Sequence, residues 1–266
     1  EGDWDAGAGL ALTITKAHVV PPFTPPAHWT YFGGLDWGYN HPYSWGLYAA
    51  NEDGTVYCLD TVTGRHQQPP EMAERFKSII PDGVKVRYTV AGHDVWADVK
   101  ARSERIPTLA EQFVAEHLPM VKANVSRVAG VQNLRRYLTI PESEPGKPPR
   151  KARFLLCDTP ANRKVYECLE TRVSDPDHPE DVLKVDADET GSGGDDHYDQ
   201  VRYALASRPI AALAPTGNRT KIEDRGRALD PKTLVPVKTP APTMERLLTG
   251  GTPARPGHRV PTRKWR

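Results

Sequence analysis

Tyr31-Phe32-Gly33-Gly34-Leu35-Asp36-Trp37-Gly38 is a short apolar run that reads as a central β-strand with a carboxylate at Asp36. An unpartnered buried carboxylate is unfavourable by several kcal/mol, so such a residue implies a hydrogen-bond network, a salt bridge or a metal ion. Further acids stand at the ends of later elements, at Asp94 and in Asp195-Asp196-His197-Tyr198-Asp199. Three carboxylate stations, far apart in sequence but each at a strand or helix end, point to a site for hard divalent cations. An arginine partner for Asp36 is the competing reading.

Working outward from this strand, apolar runs near 44–50 and 55–61 read as two more strands, joined by the tight-turn sequence Asn51-Glu52-Asp53-Gly54. Beyond them the pattern alternates between helices and strands. Pro70 opens a helix with the apolar stripe Met72, Phe76, Ile79 and Ile80, and the alternation Val84, Val86, Tyr88, Val90 reads as a strand ending at His93-Asp94. Thr108 and Glu111 have capping-box spacing before Leu109 and Phe113. A short strand is expected over 119–123, and a helix capped by Ser126 bears Val128, Val131, Leu134 and Leu138. The run 152–157 reads as a strand, Thr159-Pro160 starts a helix with Val165 and Leu169 inward, and a final helix spans about 195–207 with Tyr198, Val201 and Leu205 as its stripe. Leading strands followed by alternating helices and strands predict an α/β domain, a mixed sheet flanked by helices, over 30–208.

Residues 1–29 read as a linker arm, because Pro21-Pro22-Phe23-Thr24-Pro25-Pro26 can hold neither a helix nor a central strand. From 209 to 266 proline recurs with scattered Lys and Arg and no sustained apolar period, the pattern of a basic tail without a core of its own. Across all 266 residues, 38% are apolar, enough for a real core, whereas 26 prolines and a mean hydropathy of -0.58 indicate much chain outside it. A net charge of +1 says nothing about partners. Cys58, Cys157 and Cys168 are odd in number and lack metal-ligand spacing, which fits reduced, buried thiols in a cytosolic protein. No signal peptide and no bilayer-length apolar stretch is seen, and a first residue Glu1 suggests a fragment.

Taken singly, each acid has an ordinary explanation. Asp195 can be an N-cap and Asp196 a first-turn acid favoured by the helix dipole. Asp94 can cap the turn toward Trp96. Taken together they make a stronger case, since Asp195/Asp199 and Asp196/Asp199 are like-charged pairs at helical spacing that a cation would relieve. Mg²⁺ or Mn²⁺ prefers oxygen ligands. Two such ions ~3.5–4 Å apart activate a water and stabilise the leaving oxygen in phosphodiester cleavage. Asp36 would bridge the pair, with Asp94 on one side and Asp195/Asp196 on the other. His93 and His197 neighbour these acids, with proton transfer or plain hydrogen bonding as their possible roles. Asp60 and Asp158 also end strands and compete as ligands. Lys100, Arg102, Arg127, Arg135 and Arg136 are candidates for a DNA-phosphate face. No Gly-x-x-x-x-Gly-Lys-Ser/Thr loop occurs, which excludes a phosphate-binding ATPase loop of that type.

The ordered set Gly34-Leu35-Asp36-Trp37-Gly38-Tyr39, His93-Asp94-Val95-Trp96-Ala97, Asn124 to Leu138 and Asp195-Asp196-His197-Tyr198-Asp199-Gln200-Val201-Arg202-Tyr203-Ala204-Leu205 resembles the nuclease half of tailed-bacteriophage large terminases. Glu1-Gly2-Asp3-Trp4-Asp5 is similar to the segment that leaves the ATPase half in that family. The resemblance implies an RNase H-like fold, shared with Holliday-junction resolvases and integrases, and a metal-dependent endonuclease that cuts concatemeric viral DNA at the initiation and termination of packaging. It implies Asp36 and Asp94 as the first two catalytic acids, and a third within Asp195-Asp196, with Asp199 one turn on as a further metal ligand. It also implies double-stranded DNA, a portal protein, a small terminase subunit and an ATPase domain of the same polypeptide as partners, and the cytoplasm of an infected bacterial host as the place of action. Without the phosphate loop, this chain is expected to cut but not translocate DNA. A resolvase-like nuclease of the same fold and a non-catalytic module docking on portal or DNA are the competing readings.

Overall fold

The computed structural model describes residues 9–98, 106–143, 145–146, 149–189, 191 and 193–208, all within one compact unit spanning 1–211. The tail expected from 209 onward lies outside the described residues.

The strand around Asp36 forms as read: β2, Thr30–Asp36, buried along its length and half-open at both ends. Strand β1 precedes it in the chain, at Val19–Val20. β2 pairs antiparallel with β3, Tyr43–Ala50, placing Asp36 opposite Ser44, and β3 pairs antiparallel with β4, Val56–Gly64. The expected turn joins β3 to β4, with the Asn51 side chain accepting from the Thr55 N–H at 2.8 Å and Gly54 at φ +80°. On its other side β2 runs parallel to β5, Thr89–Ala91, which runs parallel to β6, Met120–Lys122. β7, Phe154–Cys157, lies parallel to β4, and β1 lies parallel to β7. Among the described residues these strands make one mixed sheet in the order β1-β7-β4-β3-β2-β5-β6. The run β4-β3-β2-β5-β6, three antiparallel strands followed by two parallel ones, gives the expected RNase H-like arrangement.

Two expectations shift in detail. The alternation from Val84 continues as extended chain that still bonds β2, through the Arg87 N–H to Tyr31 O and the Gly33 N–H to Tyr88 O, but regular strand is confined to 89–91. The segment read as a linker arm docks on the domain from Gly9: Ala11, Leu12 and Ile14 are buried, and β1 extends the sheet edge until Pro21 ends it. The prolines keep this segment to an edge, where a missing N–H costs no ladder bond.

The helices are α1 (Pro69–Ser78), α2 (Leu109–Ala115), α3 (Arg127–Leu138), α4 (Pro160–Glu170) and α5 (Asp196–Ala206). Thr108 and Glu111 form the expected capping box, and Thr159 Oγ1 accepts from the Asn162 N–H. Ser126 occupies the N-cap of α3, but its side chain caps nothing. α1 and α2 cover one face of the sheet around Leu35, Trp45, Phe76 and Phe113, with Trp45 and Phe76 stacked 4.6 Å apart. α3, α4 and α5 cover the other around Phe32, Tyr48, Leu134, Val165, Val201 and Ala204. With helices on both faces, β3 is buried at every residue. All three cysteines are buried and unbridged. No described helix is long and apolar enough to cross a membrane.

One contact fixes the depth of α5. Gly34 and Gly46 are paired across β2 and β3, and together they leave a patch without side chains on that face. A Cβ on Gly34 would lie 2.6 Å from the Gln200 carbonyl oxygen and 2.7 Å from Ala204 Cβ, and one on Gly46 would lie 2.5 Å from Gln200 Oε1. Helix α5 therefore rests directly on strand backbone. Gly34→Ala is expected to destabilise the fold by about 1–3 kcal/mol, because the clash falls on backbone that cannot rotate away. Urea unfolding tests this, and undiminished stability in the variant would refute the close seating of α5.

Candidate active site

Alternation along β2 puts Phe32, Gly34 and Asp36 on one face, the face that carries α5. Asp36 is half-buried at the open end of its strand, not sealed within it. Across the parallel pair Leu35 stands opposite Ala91, so the chain leaving β5 passes beside Asp36 and turns through a 3-10 helix, His93–Trp96, that carries Asp94. The seating of α5 on Gly34 and Gly46 brings the first turn of that helix over the same strand end. Elements distant in sequence thus meet at one point.

The electrostatics of Asp36 record this convergence. Its pKa stands well above the usual carboxylate range, first because burial strips water from it, then because Asp199, Asp196, Asp94 and Asp195 all repel its charge. Burial and the charge of Asp195 lead the causes that push Asp196 up to about 6. Asp195 is also raised, by burial and then Asp199. It sits at the N-cap position of α5, yet its side chain makes no cap bond and its Oδ2 is buried without a partner among the described residues. The ordinary explanation for Asp195 therefore fails. Asp94 is exposed, but the protein crowding it raises its pKa by desolvation, against the lowering effects of backbone N–H groups and His93.

A cation does face Asp199. Arg202, 2% exposed, grips Asp199 Oδ1 from Nε at 2.9 Å and Nη2 at 2.8 Å, and the Tyr203 hydroxyl reaches Asp199 Oδ2 at 3.5 Å. The Arg202 guanidinium lies 4.6 Å from the Tyr203 ring centre, and its stem fills the space where Gly130 of α3 has no side chain. Arg202, Tyr203 and Ser44 are contributors that the sequence reading did not single out. Asp199 and Arg202 at i, i+3 carried the signal for one pair; Ser44 gave none. Its Oγ lies 2.7 Å from His197 Nδ1, tying β3 to α5, and burial leads the causes that push His197 down to about 4. His197 is thus a neutral hydrogen-bonding group. His93 bonds the Ala123 carbonyl at 3.1 Å.

The remaining candidates lie elsewhere. Arg127 is held by Asp181 at 2.6 Å and by the Val182 carbonyl, and Arg135 donates from Nε to the Ala11 carbonyl, so both have intramolecular work. Arg136 is exposed on α3. Lys100 and Arg102 lie outside the described residues. Asp60 accepts from Thr61 N–H and the Thr159 hydroxyl, and Asp158 pairs with Arg163, which accounts for both rival acids structurally. Among the described residues no three His, Cys, Asp or Glu side chains stand close enough to hold one ion between them. The acids form a spread cluster, not a closed cage.

This sheet order and helix placement recur in solved structures. The large terminase of a thermophilic bacteriophage superposes with a TM-score of 0.55 over 75% of this chain at 17% identity. The nuclease domain of the P22 large terminase gives 0.54 over 74% of this chain and 91% of its own length, at 18% identity. This is the fold of a terminase nuclease domain. The chain spans only 45% of the thermophilic phage's large terminase. No protein-family model and no curated protein matches the chain.

Two substitutions in this terminase nuclease fold should move stability in opposite directions. Arg202→Gln leaves Asp199, 14% exposed, without its counter-charge and should cost about 3–5 kcal/mol. Asp36→Asn removes a repelled charge and should raise the thermal midpoint by a few degrees in EDTA at neutral pH. Because the folded state holds the Asp36 proton more tightly than the unfolded chain, the ionised carboxylate destabilises only above the unfolded value of about 4. The advantage of Asp36→Asn should therefore shrink as pH falls toward that value. Thermal melts across pH check both, and a less stable Asp36→Asn at neutral pH would contradict the repulsion.

Proposed function

We propose that this chain is a divalent-metal-dependent DNA endonuclease, the nuclease unit of a viral packaging motor that cuts concatemeric double-stranded DNA when packaging begins and ends. The observation that carries this is the meeting of Asp94, Asp195, Asp196 and Asp199 around Asp36 at the open end of β2, within a terminase nuclease fold. The donor set is all oxygen and strongly negative, and the buried Asp195 Oδ2 lacks a partner, which suits a hard cation. Asp36, Asp94, Asp195 and Asp196 would hold two Mg²⁺ or Mn²⁺ ions. Ions of this kind supply an activated water and stabilise the leaving oxygen in phosphodiester hydrolysis.

The protein's own contribution is placement. Asp36 is fixed by the central strand, and the α5 acids by the seating of that helix on Gly34 and Gly46. Arg202 holds Oδ1 of Asp199, so Asp199 has only Oδ2 left for an ion. Its main task is to keep the first turn of α5 in place. His197, neutral and bonded to Ser44, fixes the same turn from the sheet side. Exposed Arg136, together with Lys100 and Arg102, is proposed to meet DNA phosphates.

Partners follow from the packaging context. The thermophilic phage's large terminase has been solved with ATP-γ-S, and an ATPase domain of the same polypeptide is the partner proposed for this chain. Portal protein and small terminase subunit complete the motor, in the cytoplasm of the infected host.

Plasmid cleavage with Mn²⁺, Mg²⁺ or EDTA tests the reading. Linearisation or smearing is expected with either metal and not with EDTA. Asp36→Asn should reduce it by more than the ~10–100-fold that follows from disturbing outer-shell groups alone. Cleavage by folded Asp36→Asn at the parent rate would remove Asp36 from the site.

A further inference from the structure

A cavity of about 400 Å³ adjoins the first turn of α5, and its wall includes Asp196 and His197. It is also lined by α4 and the residues after it, including Lys164, Glu167 and Arg172. Arg172 is 7% exposed. Its Nε donates to the Cys168 carbonyl at 3.0 Å, closing the C-terminus of α4, but its Nη1 is buried with no partner among the described residues. No described carboxylate forms an ion pair with it, although Glu167 and Asp196 share the cavity. A guanidinium withdrawn from water without a counter-charge is costly, and the helix C-terminus offsets only part of that cost. Lys164, exposed on α4, adds a second cation to the same wall and acts on His197. A planar, permanently charged fork beside an ammonium is the chemistry that recognises phosphate.

We infer that this cavity is a phosphate subsite, in which Arg172 and Lys164 hold a phosphate group of the DNA strand whose neighbouring phosphodiester lies at the acid cluster. The inference rests on the nuclease reading above. Sharing Asp196 and His197 with that cluster, the cavity borders the path of a bound strand and grips it beside the cut.

The test uses the full chain carrying Asp36→Asn, so that bound DNA is not cut. Anisotropy of a short fluorescein-labelled duplex is measured across salt concentration, without and with Lys164→Gln, Arg172→Gln or Arg172→Lys. Lys164→Gln and Arg172→Gln should each weaken duplex binding several-fold and lower the salt slope by about one, while Arg172→Lys keeps most of it. In parallel, inorganic phosphate should raise the thermal midpoint of the parent chain and not that of Arg172→Gln. Lys164→Gln changes an exposed residue and keeps the test valid if Arg172→Gln fails to fold. Loss of phosphate stabilisation with unchanged duplex binding would assign the cavity to free phosphate and overturn the DNA source. Unchanged behaviour of Lys164→Gln in both assays, or of Arg172→Gln where it folds, would overturn the subsite. Neither result touches the nuclease reading, which fails separately if the unsubstituted chain cuts no plasmid with any metal.

Discussion

The approach of helix α5 to the bare backbone of β2 and β3 is the constraint on which the rest depends. A helix normally stands off a sheet by the depth of two layers of side chains. Here Gly34 and Gly46 remove one layer, and the helix drops until the Gln200 backbone and Ala204 touch the strands. The same contact that completes the core on this face brings Asp195, Asp196 and Asp199 into range of Asp36. Fold and site are therefore not separable. Side chains at these two positions would lift the helix, open the core and scatter the acids together.

Bringing five carboxylates together opposes folding, and the structure meets that opposition unevenly. Asp199 has a dedicated arginine, walled in by Tyr198, Tyr203 and the gap at Gly130. Among the described residues Asp36, Asp195 and Asp196 have none, and burial, then mutual repulsion, raises their proton affinities. The apolar packing of α5 through Tyr198, Val201, Ala204 and Leu205 holds against it. A cluster that neutralises one acid and leaves its neighbours repelling one another has been left with capacity for positive charge from outside.

Much of this was legible in the sequence, for identifiable reasons. A carboxylate in an apolar strand is rare enough to mark Asp36, and the local signals of Thr108 with Glu111 and of Thr159 placed two helices correctly. Periodicity reports which face a residue takes but not how deep its end of the strand lies, so the partial exposure of Asp36 was not foreseen. Two-residue β1 is too short to show a period, and the prolines that follow it masked it. Arg127 read as a phosphate ligand because its partner Asp181 lies 54 residues away, and nothing local reports such a pairing. The link between Ser44 and His197 spans 153 residues and was invisible for the same cause. Asp195 misled in the opposite way: its position invites a capping role that its side chain does not perform.

The two walls of the acid cluster differ mechanically. On one side Asp36 and the α5 acids belong to elements seated directly on each other, where even a Cβ on Gly34 or Gly46 would meet Gln200 or Ala204. On the other, Asp94 rides on a single 3-10 turn after a three-residue strand, exposed to solvent and anchored inward through Val95. Of the five acids, Asp94 is therefore the one whose position is set by a single short turn and not by the contact of helix on sheet.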